Sequence, residues 1–231
     1  MPWLLRHRNQ HLVELMDDPD CDPVFLQNTY RYFTDINRKL SGWQMLFDQY
    51  IAPLCTEPDH TYTLLDIGFG GGDIPLLLHQ VASRHNIRMA IKAIDPDPRA
   101  SEYIVQLKHV SDDIQFEAVS HTALLERQER FDFVVSNHVL HHLSSPAIQQ
   151  LCRDAEQLAR KRVVFSDLRR SDWAWLFFAV GTLGRFRDSF IREDGLRSIR
   201  RSCTAHELRE LLPRSWQVEH YFPFRLLVRS S

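Results

Sequence analysis

An α/β fold on a parallel, doubly wound sheet is predicted by three observations. Buried-strand and helical patterns alternate from about residue 61 to 170, a glycine-rich turn follows the first strand, and polar residues stand where the later strands end. Ahead of that alternation, residues 1–60 read as helical. Trp3 to Met16 carries an amphipathic pattern, and Pro23 to Tyr50 presents Phe25, Tyr30, Phe33, Trp43 and Phe47.

The first strand is expected near 62–67, where β-branched residues and leucines suit a strand buried on both faces. It stops at Gly68-Phe69-Gly70-Gly71-Gly72, and a helix is expected from Asp73. Glycine has no Cβ, so Gly68, Gly70 and Gly72 can take positive φ and bring backbone amides up to a ligand at the helix start. Further strands are expected near 89–94, 114–119, 131–136 and 162–167. Right-handed crossovers place Gly68, Asp95, Ser120 and Asn137 together at their carboxyl ends. An apolar helix follows from about Asp172 to Leu183, then an arginine-rich connection, then a helix opened by the capping box Thr204-Ala205-His206-Glu207. Two last strands, Trp216 to Tyr221 and Phe224 to Val228, are separated by Pro223.

The chain has 231 residues, 44% hydrophobic and 25% charged, which suffices for one large domain. A net charge of −2 gives no overall attraction to nucleic acid, and none is expected as a partner. Cys21, Cys55, Cys152 and Cys203 show no paired spacing and no signal peptide opens the chain, so a reducing cytoplasm is expected. The most apolar run, Trp173 to Leu183, is too short to span a bilayer.

The letters of the glycine turn choose among the cofactors that use such turns. No Gly-Lys-Ser/Thr ends it, which excludes a Walker phosphate loop. Counting from Gly68 and Gly70, the third small position of a dinucleotide fingerprint falls on Asp73, whose carboxylate would repel a pyrophosphate. Asp66, Gly68, Gly70 and Gly72 instead complete an acidic-x-Gly-x-Gly-x-Gly pattern. In this the chain resembles the class I S-adenosylmethionine-dependent methyltransferases, and the stretch from Asn137 to Leu143, with its His141-His142-Leu143, is similar to their small-molecule, ubiquinone- and polyketide-type branch. The Pro-Pro signature of nucleobase amino methyltransferases is missing after Ser136.

The resemblance implies a Rossmann-like, seven-stranded, mostly parallel sheet with helices on both faces, closed by an antiparallel terminal hairpin. It implies S-adenosylmethionine as cofactor, held by Asp66, Gly68, Phe69, Gly70 and Gly72, by Asp95 and Pro96 after the second strand, by Ser120 near the adenine, and by Asn137 and His138 on the methionine side. Residues 1–60 are expected to form a helical lid carrying Tyr30, Phe33, Asn37 and Arg38 over the pocket, with 61–231 as the cofactor-binding domain. An insertion at about 172–203 is expected to cap the substrate, with Trp173, Trp175, Phe177 and Phe178 as a hydrophobic wall and Trp173, Trp175 and Arg192 as the substrate contacts. The acceptor is expected to be a small aromatic or hydrophobic molecule methylated at oxygen, with His141 as general base. No metal is expected at His138, His141 and His142, because Val139 stands where the zinc-protease pattern needs glutamate and no cysteine pair is near. The arginines from Arg185 to Arg201 read as a solvated face. An NAD-dependent oxidoreductase, an RNA methyltransferase and a cofactor-binding protein without catalysis are the alternatives.

Overall fold

Strands apolar on both faces need cover on both faces, and this requirement organises the chain. The computed structural model describes residues 2–107 and 110–230. Seven strands, β1 (Tyr62–Ile67), β2 (Met89–Ile94), β3 (Ile114–Glu117), β4 (Phe131–Asn137), β5 (Ala159–Leu168), β6 (Trp216–Tyr221) and β7 (Arg225–Ser230), form one sheet in the order β3-β2-β1-β4-β5-β7-β6. The first five are mutually parallel, whereas β7 runs antiparallel to both β5 and β6. The sheet is therefore the expected seven-stranded, mostly parallel one.

Nine helices accompany it among the described residues: α1 (Pro23–Leu40), α2 (Trp43–Tyr50), α3 (Asp73–Arg84), α4 (Pro98–Val105), α5 (His121–Glu126), α6 (Ser145–Leu158), α7 (Asp172–Gly181), α8 (Ile191–Arg201) and α9 (Ala205–Leu211). All seven residues of β4 are buried. Phe133 and Val135 enter a core layer with Trp43 and Leu46 of α2 and Ile74 and Leu78 of α3. Val134 enters the opposite layer with Leu124 of α5, Ile148 and Leu151 of α6 and Leu208 of α9. Alternation continues in β5 and β7, where Phe165 and Val228 share the second layer while Val164 and Leu227 share the first. Each such side chain contributes roughly 1.5–3 kcal/mol of burial. The expected capping box holds, with Thr204 and Glu207 bonded reciprocally at the start of α9.

The amino-terminal reading needs one correction. Pro23 to Tyr50 forms helices, broken at Gly42. Trp3 to Met16 does not, apart from a 3-10 turn at Leu15–Asp17. Trp3, Leu4 and Val13 are exposed, so the periodic pattern buries no apolar face. Tertiary partners take the backbone groups that a helix would have paired internally. Asp172 accepts the amides of Leu4 and Leu5 at 3.0 and 2.9 Å, and Arg170 donates to the carbonyls of Leu5 and Arg6. Arg201 donates to the Leu12 carbonyl at 2.7 Å, Arg197 to that of Val13 at 2.6 Å, and Asp194 accepts the amides of Leu15 and Met16. The segment is a strap laid across α8. The arginine run is thus not simply a solvated face, since Arg201 is buried against the strap.

Arg201 also donates to the carbonyls of His141 and His142, at 3.2 and 2.9 Å. Arg201→Met would leave three carbonyls without this donor, and should cost about 1–3 kcal/mol. Thermal unfolding should then begin roughly 2–4 °C lower per kcal/mol, and limited proteolysis should cut the strap. Wild-type protease resistance in this variant would mean that the strap is held by its other contacts.

Candidate functional site

The carboxyl ends of the parallel strands open into one cavity of about 1530 Å³. The loop after β1 forms its floor, with Gly68 at φ +79° and Gly72 at φ +76°. A Cβ on Gly68 would lie 2.4 Å from Val139, and one on Gly72 would lie 2.4 Å from Ile104, so neither backbone angle nor space admits a side chain there. Tyr30 of α1 packs with Phe69 of this loop and with Ala100 and Ile104 of α4. Asp95, at the end of β2, accepts the Gly70 amide at 2.9 Å and the Asp97 amide at 2.9 Å.

Around the loop, carboxylates outnumber cations. Both oxygens of Asp66 and Oδ2 of Asp73 are buried with no hydrogen-bond partner. Burial first, then the charges of Asp73 and Asp95, hold Asp66 well above the ordinary carboxylate range. Burial raises Asp73 to about 6, although the Asn37 amide tempers it, and also raises Asp95. Such a set is unfavourable alone and suited to a cationic ligand.

At the end of β4, Arg225 of β7 gathers the polar groups. Buried itself, it donates to Ser166 Oγ at 2.8 Å, to His138 Nε2 at 2.7 Å and to Asn137 Oδ1, which also accepts from Trp43 Nε1 at 3.1 Å. His138 stands at φ +64° and turns the chain out of the strand. Burial and the adjacent guanidinium hold its imidazole neutral.

His141 is buried between carboxylates. Its Nδ1 lies 2.6 Å from Asp167 Oδ1, and its Nε2 lies 3.4 Å from Glu14 Oε1. Burial disfavours the charged ring, yet Asp167 and Glu14 outweigh it and raise its pKa to about 10. An imidazole already protonated at neutral pH accepts no further proton, so this geometry does not provide the general base expected of His141. His142 Nε2 lies 3.8 Å from Glu14 Oε2, and its Nδ1 lies 3.1 Å from Asp17 Oδ2.

The cavity brings together Tyr30, Phe33, Asn37, Gly68, Phe69, Gly70, Asp95, Pro96, Ser120, Asn137, His138 and His141. Asp66 lies in β1, behind the loop, and Gly72 caps α3 without lining the cavity. Tyr30, expected at the substrate, packs on the cofactor loop instead. Three substrate residues need correcting. Trp173 and Trp175 are 62% and 36% exposed and line nothing here, because the wall of α7 repeats at helical spacing through Ala174, Phe177, Phe178 and Gly181. Arg192 faces a separate, smaller pocket. Arg38 is exposed and pairs with Asp35.

A sequence profile described as a methyltransferase domain matches residues 29–215. The chain belongs to the methyltransferase domain family. No curated protein sequence matches it. Among solved structures it is similar to the plantazolicin methyltransferase BamL in complex with a triazolic desmethyl analog and S-adenosylhomocysteine, at TM-score 0.59 and 16% identity over 82% of this chain and 70% of that one. It is also similar to the plantazolicin methyltransferase BpumL in complex with S-adenosylhomocysteine, at TM-score 0.54 and 13% identity over 90% of this chain and 93% of that one.

This methyltransferase uses S-adenosylmethionine as its cofactor. The residues fit the molecule: the unpartnered, buried carboxylate of Asp73 lines the cavity and suits a positive charge, and a side-chain-free loop admits close approach. Phe177 and Phe178, expected in the acceptor wall, do line the cavity, whereas Glu14, Asp73 and Arg225, which also line it, were not among the expected site residues. Arg225 carried one signal, a charge opening an apolar strand. Glu14 carried none.

The raised carboxylates set the pH behaviour of the free protein. A group with a raised folded-state pKa keeps its proton after the unfolded chain has lost it, so Asp73 and Asp194, both raised to about 6 by burial, each contribute a fall in stability as pH rises from about 4 through about 6. Asp73→Asn should lessen that fall, raise the melting temperature of the free protein at pH 7, and weaken S-adenosylhomocysteine binding about tenfold or more. Thermal unfolding across this pH range and calorimetric titration measure both effects. A variant that is less stable at pH 7 yet binds normally would contradict the assignment.

Proposed function

We propose that this methyltransferase modifies a hydroxyl oxygen of a small, largely apolar and aromatic acceptor. One observation carries the reading: the cavity beyond the cofactor loop is walled by Phe33, Ile36, Leu40, Phe177, Phe178 and Phe224. Aromatic side chains of this kind hold a planar apolar molecule through burial and ring contacts.

S-adenosylmethionine supplies a methyl group already activated on a sulfonium, so the chain's own work is placement and exclusion of water. Asp73, which lines the cavity, would face the cationic methionine end, with Asp66 behind the loop adding its field. Asp95, fixed by the amides of Gly70 and Asp97, would accept from the ribose hydroxyls. Ser120 lies at the end of the cavity formed after β3, where the adenine would be held. Asn137 and His138, immobilised by Arg225, define the end of β4 beside the methionine portion. The helices α1 and α7 would act as lid and cap, with Phe33, Phe177 and Phe178 displacing solvent from the acceptor. Of the range 1–60 the strap and α1 would serve as the lid, since α2 belongs to the core, and 172–203 would serve as the substrate cap.

Phenols and hydroxylated polycyclic acceptors should be methylated when supplied with labelled S-adenosylmethionine, and structured RNA should not. Phe177→Ala should raise the acceptor KM about tenfold while leaving cofactor affinity within about twofold. Methylation confined to RNA, abolished by moderate salt, would overturn the small-molecule reading.

A further inference from the structure

We propose that Glu14, His141 and His142 form a binding site for one divalent first-row transition-metal ion. The site opens onto the cavity.

The geometry is that of ligands around a common centre. One donor atom from each residue lies within 4.8 Å of the others. Glu14 Oε1 lies 3.4 Å from His141 Nε2, and its other oxygen, Oε2, lies 3.8 Å from His142 Nε2, so the carboxylate offers one oxygen to each ring. Two metal bonds of roughly 2.1 Å meeting at a tetrahedral angle put their donor atoms about 3.4 Å apart. A charge-assisted hydrogen bond would instead draw nitrogen and oxygen to about 2.7–2.9 Å.

A supporting set of carboxylates completes the arrangement. His141 Nδ1 is taken by Asp167 at 2.6 Å and His142 Nδ1 by Asp17 at 3.1 Å, so each ring turns its Nε2 toward Glu14. Glu14 is oriented by the hydroxyl of Ser198, which donates to Oε1 at 2.7 Å. Carboxylate-backed imidazoles of this kind fix the ring and raise its strength as a ligand. The same carboxylates favour a proton on His141 in the free protein, and a metal ion would occupy that place as the stronger cation.

Two imidazole nitrogens and one carboxylate suit zinc, cobalt, iron or nickel better than magnesium or calcium. Three protein ligands leave at least one coordination position, and all three residues line the cavity. If the acceptor reading above holds, an ion there would bind the acceptor hydroxyl and lower its pKa, a task His141 does not perform. The expectation of no metal rested on Val139 after His138 and on the lack of a nearby cysteine pair. The carboxylate comes instead from the amino-terminal strap.

The untagged, metal-stripped full chain should bind one Zn²⁺ by calorimetry, and Co²⁺ should give the visible bands of a low-coordinate site. Glu14→Gln and His142→Ala should each weaken Zn²⁺ at least tenfold, and Asp17→Asn about tenfold, whereas His206→Ala should bind as the wild type does. X-ray absorption at the zinc edge of the wild type, which needs no variant, should show two imidazole ligands. Absence of saturable binding, undiminished affinity in Glu14→Gln and His142→Ala, or a shell without imidazole would overturn the site. None of these readings depends on methyl transfer, and titration with S-adenosylhomocysteine tests the cofactor assignment separately.

Discussion

Negative charge buried at the carboxyl edge of the sheet is the constraint on which the rest of this site depends. Asp66, Asp73 and Asp95 converge beneath and beside one glycine loop, and burial alone pushes all three toward their neutral forms. Hydrophobic layers above and below the sheet supply the stability that tolerates this arrangement. A ligand carrying positive charge relieves it. In the proposed reading that ligand is the methionine end of the cofactor.

Three arginines keep the remainder of that edge ordered. Arg225 crosses from β7 to Ser166, Asn137 and His138, so the antiparallel hairpin at the chain's end sets the shape of the turn after β4. Arg201 reaches from α8 to the carbonyls of His141, His142 and Leu12, joining the same turn to the amino-terminal strap. Arg8 adds further bonds from the strap to the carbonyls of Leu140, His141 and Leu143. Buried guanidiniums serve well here because each offers five donors in a fixed plane. The cavity is consequently bounded by segments from both ends of the chain.

The glycine-loop side of the cavity was legible in the sequence because its pattern is local. Glycines, the acidic residue before them and the aspartate ending the next strand sit at spacings imposed by one strand-turn-helix-strand unit, and the cavity contains Gly68, Gly70 and Asp95 as a result. The acceptor half was not. Trp173 and Trp175 are the conspicuous residues of α7, but with α7 packed on α8 it is Ala174, Phe177 and Phe178 that line the cavity, Phe177 while still largely exposed. Nothing in the spacing of a helix states which of its faces will meet a cavity when both are apolar.

By itself, the sequence determined the strand positions, the parallel core and the cofactor class, since each follows from short-range pattern: two-sided apolar runs, a turn only glycine permits, and carboxylates at strand ends. Tertiary structure decided the rest. The strap from Trp3 to Met16 has a helical pattern but no helix, because its backbone groups found stronger partners in Asp172, Asp194 and Arg201. His141 has the chemistry of a base but lies between Glu14 and Asp167, and those two charges come from segments far apart in the chain. Protonation and ligation depend on distances between side chains, and such distances exist only once the chain has folded.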